Sequence, residues 1–448
     1  MKNLEFSART REEDLLSLAN RWFDVLVVGG GINGSGVANI LSQIGLKTIL
    51  VEMGDFASGT SSASSKLIHG GLRYLQEGRI GEVRNLIRER DYLRNHTPIV
   101  KDIEFDILIT RNSWNRWKIM LGLIIYNFLG HRHKIPAFRK NQGEYPREVL
   151  GYFSYMDAIT DDSRLVISNI CSAHNRGSVC LNYARLEGVQ KVANGFLARI
   201  TDTLTGKAYS INAGLIVNCT GPWAGKTASV LMASGIPQMK LSKGVHIVIP
   251  RDLIHVNKAV AFRSSIDGRQ LFIIPRGEVH HIGTTDDFVE SPEDRDVKED
   301  EINYLLESTS AIFGKISRDA VITTFCGIRP LVSNSEDPGK ATREFSIVER
   351  DGIIHVLGGK LTDYRVAARK VARLVMKRLG ISINVDGLPV IDYLRENTGD
   401  PVQYDLQYEC ALTLDDVVRR REGWSIYTLD AGASRVGMVK KHIEMEGT

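Results

Sequence analysis

The chain has few cysteines and no pattern among them. Cys171, Cys180, Cys219, Cys326 and Cys410 are odd in number and form no CxxC pair. That argues against a disulfide framework and for reduced, mostly buried thiols in a cytosolic protein. No His/Cys/carboxylate cluster has metal-ligand spacing, so no metal is expected. The first residues, MKNLEFSARTREED, lack the apolar core of a signal peptide. The longest apolar run, residues 119–129, is far short of the ~20 residues that span a bilayer. Trp114 and Trp117 precede it, and His131, Arg132, His133 and Lys134 follow. It reads as a core helix with a snorkelling rim, an interfacial helix being the alternative. No basic, aromatic-laced stripe marks a nucleic-acid partner. A net charge of +4 over 448 residues suits a solvated surface with a modest pull on anionic substrates or lipid headgroups. Repeats and low-complexity tracts are also missing. At 43% hydrophobic and 25% charged, the composition is that of a globular protein with room for two or three domains.

Against these absences stands residues 24–52. They read DVLVVGGGINGSG, a helical run, then KTILVE. A buried strand, a glycine turn, a helix and a second strand ending in an acid form the dinucleotide-binding fingerprint in its confirming context. Gly29 permits the tight turn, Gly31 lets backbone approach a pyrophosphate, and Gly34 lets helix and strand pack closely. Glu52, 21 residues beyond Gly31, is placed to accept from a ribose hydroxyl. This fingerprint alone does not separate NAD from FAD.

Further along, residues 57–75 form a Ser/Gly/Ala-rich loop, residues 79–95 a charged helix, and residues 163–176 a helix stopped by Gly177. Residues 215–219 are a buried parallel strand. Residues 240–290 and 320–357 are β-rich, and a helix follows Gly358-Gly359-Lys360 to about Arg378, ended by Gly380. The nucleotide-domain features are thus scattered, with β-rich insertions between them. We expect a discontinuous nucleotide domain (residues 20–100, 151–235 and 345–385), a mostly antiparallel domain (101–150 and 236–344), and a polar tail with helical pieces (386–448). Thr413 and Asp416 have N-cap spacing in that tail.

Several segments carry a family likeness in order. They are TSSASSKLIHGGLRYL at 60–75, DDSRL at 161–165, NCTGPW at 218–223, KGVHIVIP at 243–250, IGTTD at 282–286, GIRPL at 327–331 and GGKLT at 358–362. The set resembles the FAD-dependent glycerol-3-phosphate dehydrogenases of the aerobic, quinone-linked type, over residues 20–380. The resemblance implies an α/β fold with a glutathione-reductase-like FAD-binding domain, an inserted antiparallel substrate domain and a short helical tail. It implies oxidation of sn-glycerol 3-phosphate to dihydroxyacetone phosphate, electrons passing to a quinone. A homodimer and peripheral contact with the inner face of the cytoplasmic membrane are also implied. Three departures stand out: about 60 residues follow the last flavin motif where the family carries over a hundred; Asp363 replaces a threonine; and Cys326 replaces a serine.

The chemistry needs groups that hold flavin, hold an anion and remove a hydroxyl proton. Thr60, Ser61, Ser62, Ser65 and Lys66 offer hydroxyls, backbone N–H groups and one positive charge to cofactor oxygens. His69, Gly70, Gly71, Gly221, Gly359, Leu361 and Thr362 complete the expected FAD contacts, and the helix after Gly358 offers its dipole to a reduced flavin. Arg329, between Gly327 and Pro330, is expected to aim a fork at phosphate. Arg73, Tyr74, Lys360 and Thr362 match the family's substrate positions. His246, mid-strand, is the expected base, acting with Arg329 and Lys360; His69 is the second candidate. His280 and His281 point to opposite faces of a strand and cannot easily share a site. Two other readings stay open: the same fold acting on another small anionic alcohol or amine, and a non-catalytic flavin-binding protein.

Overall fold

A computed structural model describes residues 3–110, 116–130, 135–332, 344–389, 391–396 and 399–446. Two sheets organise them. In the first, the strands Ile353–Leu357, Ala208–Asn218, Trp22–Val28, Thr48–Val51 and Val179–Leu181 run parallel in that order. Ser346–Arg350 closes one edge antiparallel, and a hairpin of Ala184–Val192 and Gly195–Asp202 extends from Ala208–Asn218. The interior strands carry uninterrupted apolar runs at 25–28, 49–51 and 215–217, because both faces are covered there. One face packs the helices Ile32–Gln43, Asp162–His174 and Tyr364–Leu379 into a core with Val25, Val27, Leu50 and Val217. Asp161 caps the second of these by accepting from Arg164 N, and Gly380, left-handed at φ +68°, ends the third.

The second sheet has ten strands and is antiparallel apart from Ala259–Arg263 against Val100–Thr110. Leu67–Ile68 and Val149–Thr160 belong to it, although the expected segments group most of these residues with the nucleotide domain. The reason is pairing: Val149–Thr160 lies against Val100–Thr110 along nearly its whole length, and its last residues pair with Leu67–Ile68. The serine loop therefore runs directly from one sheet into the other.

The apolar run forms the helix Arg116–Leu129. Ile119, Leu123 and Tyr126 are buried, while Trp117, Leu121, Ile124 and Phe128 form an exposed stripe, Trp117 at 74% and Phe128 at 68%. It is an amphipathic helix with its polar rim replaced by apolar side chains, and not the core helix expected. Trp114 and residues 131–134 lie outside the described residues. Among the described residues, no helix is long and apolar enough to cross a membrane.

The helical pieces expected over residues 386–448 are present, and the described part is docked on the rest of the chain. The helix Pro401–Tyr408 and the wide turn Asp416–Arg421 dock through buried charges. Arg421 bonds both oxygens of Asp55 at 2.7 and 3.0 Å, and Arg420 adds a third contact at 2.6 Å. Arg164 pairs with Glu409 beside them. The N-cap spacing is realised: Asp416 accepts from Thr413 N at 2.9 Å, and Thr413 Oγ1 accepts from Asp416 N at 3.3 Å. Periodicity could not reveal this docking, because the groups that dock are charged and look solvated in sequence.

Burial alone would push the Asp55 carboxyl up, but Arg421 and Arg420 outweigh it and hold the group at about 2, below its ordinary 3.8. A lowered carboxylate stabilises the fold above its unfolded value, and that stability is lost as pH falls from about 3.8 through about 2. Asp55→Ala takes away the carboxylate paired with the fully buried Arg421, while Arg420 keeps Asp415 and Asp416. We expect it to cost about 3–5 kcal/mol in urea unfolding at pH 7, with a smaller difference from the parent at acid pH.

Candidate active site

The nucleotide turn is built by backbone crowding. Gly29 has φ +105°, and a Cβ there would lie 2.7 Å from Cys219 O. A Cβ on Gly34 would lie 1.8 Å from Gly29 O, so the helix Ile32–Gln43 starts as close to the strand as backbone allows. A Cβ on Gly31 would sit 3.0 Å from Ser61 Oγ, which accepts from Ile32 N at 3.0 Å. Glu52 accepts from Gly30 N at 2.7 Å and Gly54 N at 3.0 Å, and burial pushes its carboxyl up.

These groups open on a cavity of about 320 Å³. Its walls include Gly29, Gly31, Glu52, Thr60, Ser61, Gly221, Gly359, Lys360 and Leu361, nine of the expected residues. Asn33, not foreseen, lines it too and donates to Gly358 O at 3.2 Å, tying the first glycine turn to the last. An acid at the strand end, a helix N-terminus and glycines that bar any Cβ suit a dinucleotide. Gly34 serves by packing. Ser62, Ser65, Lys66, His69, Gly70, Gly71 and Thr362 do not line this trough. Thr362 Oγ1 donates to His69 O at 3.3 Å, so His69–Gly71 sits against the 358–362 turn that does.

The second sheet carries the candidate reactive groups. Lys240–Pro250 pairs with Thr323–Leu331 in the register Ser242↔Arg329, Gly244↔Gly327 and His246↔Phe325. Opposite residues of an antiparallel pair share a face, and side chains alternate. All six therefore lie on one face. The serine loop covers it: Ser65 Oγ is 3.0 Å from His246 Nε2, and a Cβ on Gly327 would meet Ala63 O at 2.7 Å. His246 is buried, stacks on Phe325 at 4.7 Å between centroids, and has no partner at Nδ1 among the described residues. Burial first, then the positive charges of Arg329 and Lys66, lower its imidazole to about 3. It is neutral at physiological pH.

The cations are held differently from expectation. Arg329 reaches Asp286 at 3.0 Å and Thr284 Oγ1 at 2.8 Å, so its fork is set by its own sheet. Lys360 pairs with Glu82, whose other oxygen meets Arg79 at 2.7 Å. Lys66 turns away from the trough: fully buried at φ +56°, it pairs with Asp162 and donates to Ser62 O. Asp162 is wholly buried and needs a countercharge, which the serine loop provides. Tyr74 is buried, with Lys360, Arg79 and Arg73 at 5.0, 5.1 and 5.7 Å from its ring. Asp363 accepts from Lys360 N at 2.9 Å, and burial raises it to about 6 against the pull of Lys360. His280 and His281 donate to separate carbonyls, Ile254 O and Ile426 O, both at 2.7 Å.

Sequence reasoning missed Asp286, Glu82 and Asp162 as counterions. Asp286 and Asp162 stood inside quoted motifs. Glu82 stood in a helix of alternating charges and carried no signal.

Comparisons with known proteins agree with this geometry. The family model described as FAD dependent oxidoreductase matches residues 24–373. The aerobic glycerol-3-phosphate dehydrogenase of Staphylococcus aureus is 35% identical, over 84% of this chain and 71% of that protein. The crystal structure of the glycerol-3-phosphate dehydrogenase from Bacillus halodurans, complexed with FAD, is 25% identical. It matches with a TM-score of 0.79 over 98% of this chain and 94% of that one. The L-alpha-glycerophosphate oxidase of Mycoplasma pneumoniae, 20% identical, shares the fold with a TM-score of 0.61 over 79% of this chain and 95% of that one.

A side chain on Gly34 forces helix and strand apart at the trough floor. Gly34→Ala should yield protein that purifies colourless, with bound flavin absorbance reduced at least about tenfold.

Proposed function

The chain belongs to the FAD-dependent oxidoreductases and, within them, to the aerobic glycerol-3-phosphate dehydrogenase family, and from that membership we propose that its substrate is sn-glycerol 3-phosphate. The secondary alcohol is oxidised to the ketone of dihydroxyacetone phosphate, and a quinone takes the electrons onward. FAD, when bound, supplies the hydride acceptor. The observation that carries the reading is the single sheet face bearing Arg329 and His246 beneath the serine loop.

His246 takes the hydroxyl proton. It is uncharged, which a base must be, and its buried Nδ1 lacks a partner that a substrate hydroxyl would supply. An imidazole at about 3 is too weak a base to match neutral pH. Burial, the larger cause, remains, but a phosphate dianion bound near Arg329 would offset the positive charge that adds to it, so base strength would rise in part when substrate arrives. Arg329 orients the phosphate, with Lys360, Arg73 and Tyr74 completing the grip.

A second reading, another small anionic alcohol or an amine, is favoured by Glu82 and Asp363 around Lys360. Anaerobic mixing separates the two. Millimolar glycerol 3-phosphate should bleach the flavin band, and bleaching by an amine alone would overturn the phosphate reading. His246→Asn should slow that bleaching by about 10²–10⁴-fold while leaving the oxidised spectrum in place. The histidine should add no acid limb to kcat/KM near its ordinary 6.5, because folding lowers rather than raises it; the only limb there should be the substrate's own phosphate ionisation, about 6.

A quinone acceptor calls for contact with a bilayer, and the helix Arg116–Leu129 supports one. Its stripe of Trp117, Leu121, Ile124 and Phe128 is exposed, it carries no acidic residue, and Arg116 and Lys118 are exposed beside the stripe. Leu121→Glu with Phe128→Glu should abolish sedimentation with anionic vesicles without altering flavin content. Unchanged sedimentation would remove the helix from this role.

A further inference from the structure

Two segments of the trough lining are joined by a third that is not itself part of the lining. One is the turn at Ser58 and Gly59; the other is Trp223 and Lys226, at the start of the helix Ala224–Val230. The third, residues 291–295, comes from the second sheet region. It links the strand Asp287–Val289 to the helix Glu299–Phe313.

Its bonds reach each lining segment separately. Glu293 accepts from Trp223 Nε1 at 2.9 Å with one oxygen and from Lys226 Nζ at 2.6 Å with the other. Arg295 lies over the Trp223 ring at 4.7 Å and donates to Ser58 O at 3.2 Å. The segment is braced from within. Asp294 accepts from Ser291 N at 3.0 Å, Arg295 Nε donates to Pro292 O at 3.2 Å, and Arg295 O accepts from Cys326 Sγ at 3.1 Å. That last bond fixes it to the strand that carries Arg329.

These contacts contribute little to the fold as such. The Glu293 and Lys226 side chains are 56% and 59% exposed, and ion pairs so placed are screened by water and salt. What they do is tie together two segments of the cavity lining, one at Ser58 and one at Trp223 and Lys226. We propose that residues 291–295 form a clasp between these two segments of the nucleotide trough, and that Glu293 and Arg295 set how slowly FAD dissociates. They are positioning residues and touch no reacting atom. Because the clasp grows from the sheet that bears the substrate groups, cofactor retention is joined mechanically to that sheet.

The test uses the holoenzyme and reads free-flavin fluorescence after dilution into excess scavenging apoflavoprotein. Glu293→Ala and Arg295→Ala should each speed FAD release about tenfold, roughly the worth of one charge-assisted hydrogen bond. The association rate should stay within about threefold, and the apoprotein's Tm should not move. In 1 M salt the parent's release should approach that of Glu293→Ala, because the Lys226 contact is solvent-exposed. Should either alanine variant fail to fold, Glu293→Gln, of the same shape, should give an intermediate rate. Release unchanged within twofold in the folded variants and insensitive to salt would overturn the clasp. So would faster release that tracks a fall in the apoprotein's Tm, since the segment would then be a structural brace.

Discussion

Close approach between two strands and a loop is the constraint on which the reactive centre depends. Lys240–Pro250 and Thr323–Leu331 present Arg329 and His246 on one face, and that face works only if the surrounding Cβ atoms are missing. A Cβ on Gly244 would lie 1.9 Å from the Arg329 guanidinium, and one on Gly283 would lie 2.4 Å from the His246 ring. Gly327 removes the third, where the serine loop passes at Ala63. Three glycines thus let a guanidinium lie flat on the sheet, an imidazole stack on Phe325 and a loop descend onto both. A methyl group at Gly244 or Gly283 displaces the guanidinium or the imidazole, and one at Gly327 displaces the loop, while the same change at an exposed turn such as Gly78 meets nothing.

Much of the first sheet was legible because parallel strands buried on both faces must be apolar without interruption. Residues 25–28 and 215–217 obey that rule, and the glycine turn and Glu52 occupy positions that backbone geometry dictates. The pairing of His246 with Arg329 could be anticipated only through the family likeness. Register between strands eighty residues apart leaves no local trace. What stayed hidden is the choice of partner by each charged group. Lys66 looked like a cofactor cation because it sits among serines; its actual neighbour, Asp162, lies 96 residues on. Residues 386–448 looked solvated for the same reason, since Arg420, Arg421 and Glu409 are charged yet buried against one another and Asp55. The amphipathic helix misled in the opposite sense, its exposed apolar stripe being indistinguishable by composition from a core face.

Those pairings bear on how the site treats an anion. Arg329 has Asp286, Lys360 has Glu82 and Lys66 has Asp162. An incoming phosphate therefore exchanges partners instead of meeting unpaired charge. Two consequences follow from Coulomb's law at short range. Without substrate, each cation avoids the large desolvation penalty of an unpaired buried charge, which keeps the cleft intact. With substrate, the gain is the difference between phosphate and the resident carboxylate. A dianion carrying three acceptor oxygens exceeds a carboxylate in that exchange, and a neutral polyol does not. On the proposed function, selectivity for phosphorylated over plain alcohols would then come from competition with Glu82 and Asp286 as much as from attraction to Arg329 and Lys360. The lysine is the more exchangeable of the two cations: its ammonium is a point charge on a flexible stem, while the guanidinium is fixed by Thr284 and Asp286 at once. On the proposed function, Arg329 would accordingly set where the anion sits, and Lys360 would be the one to change partner.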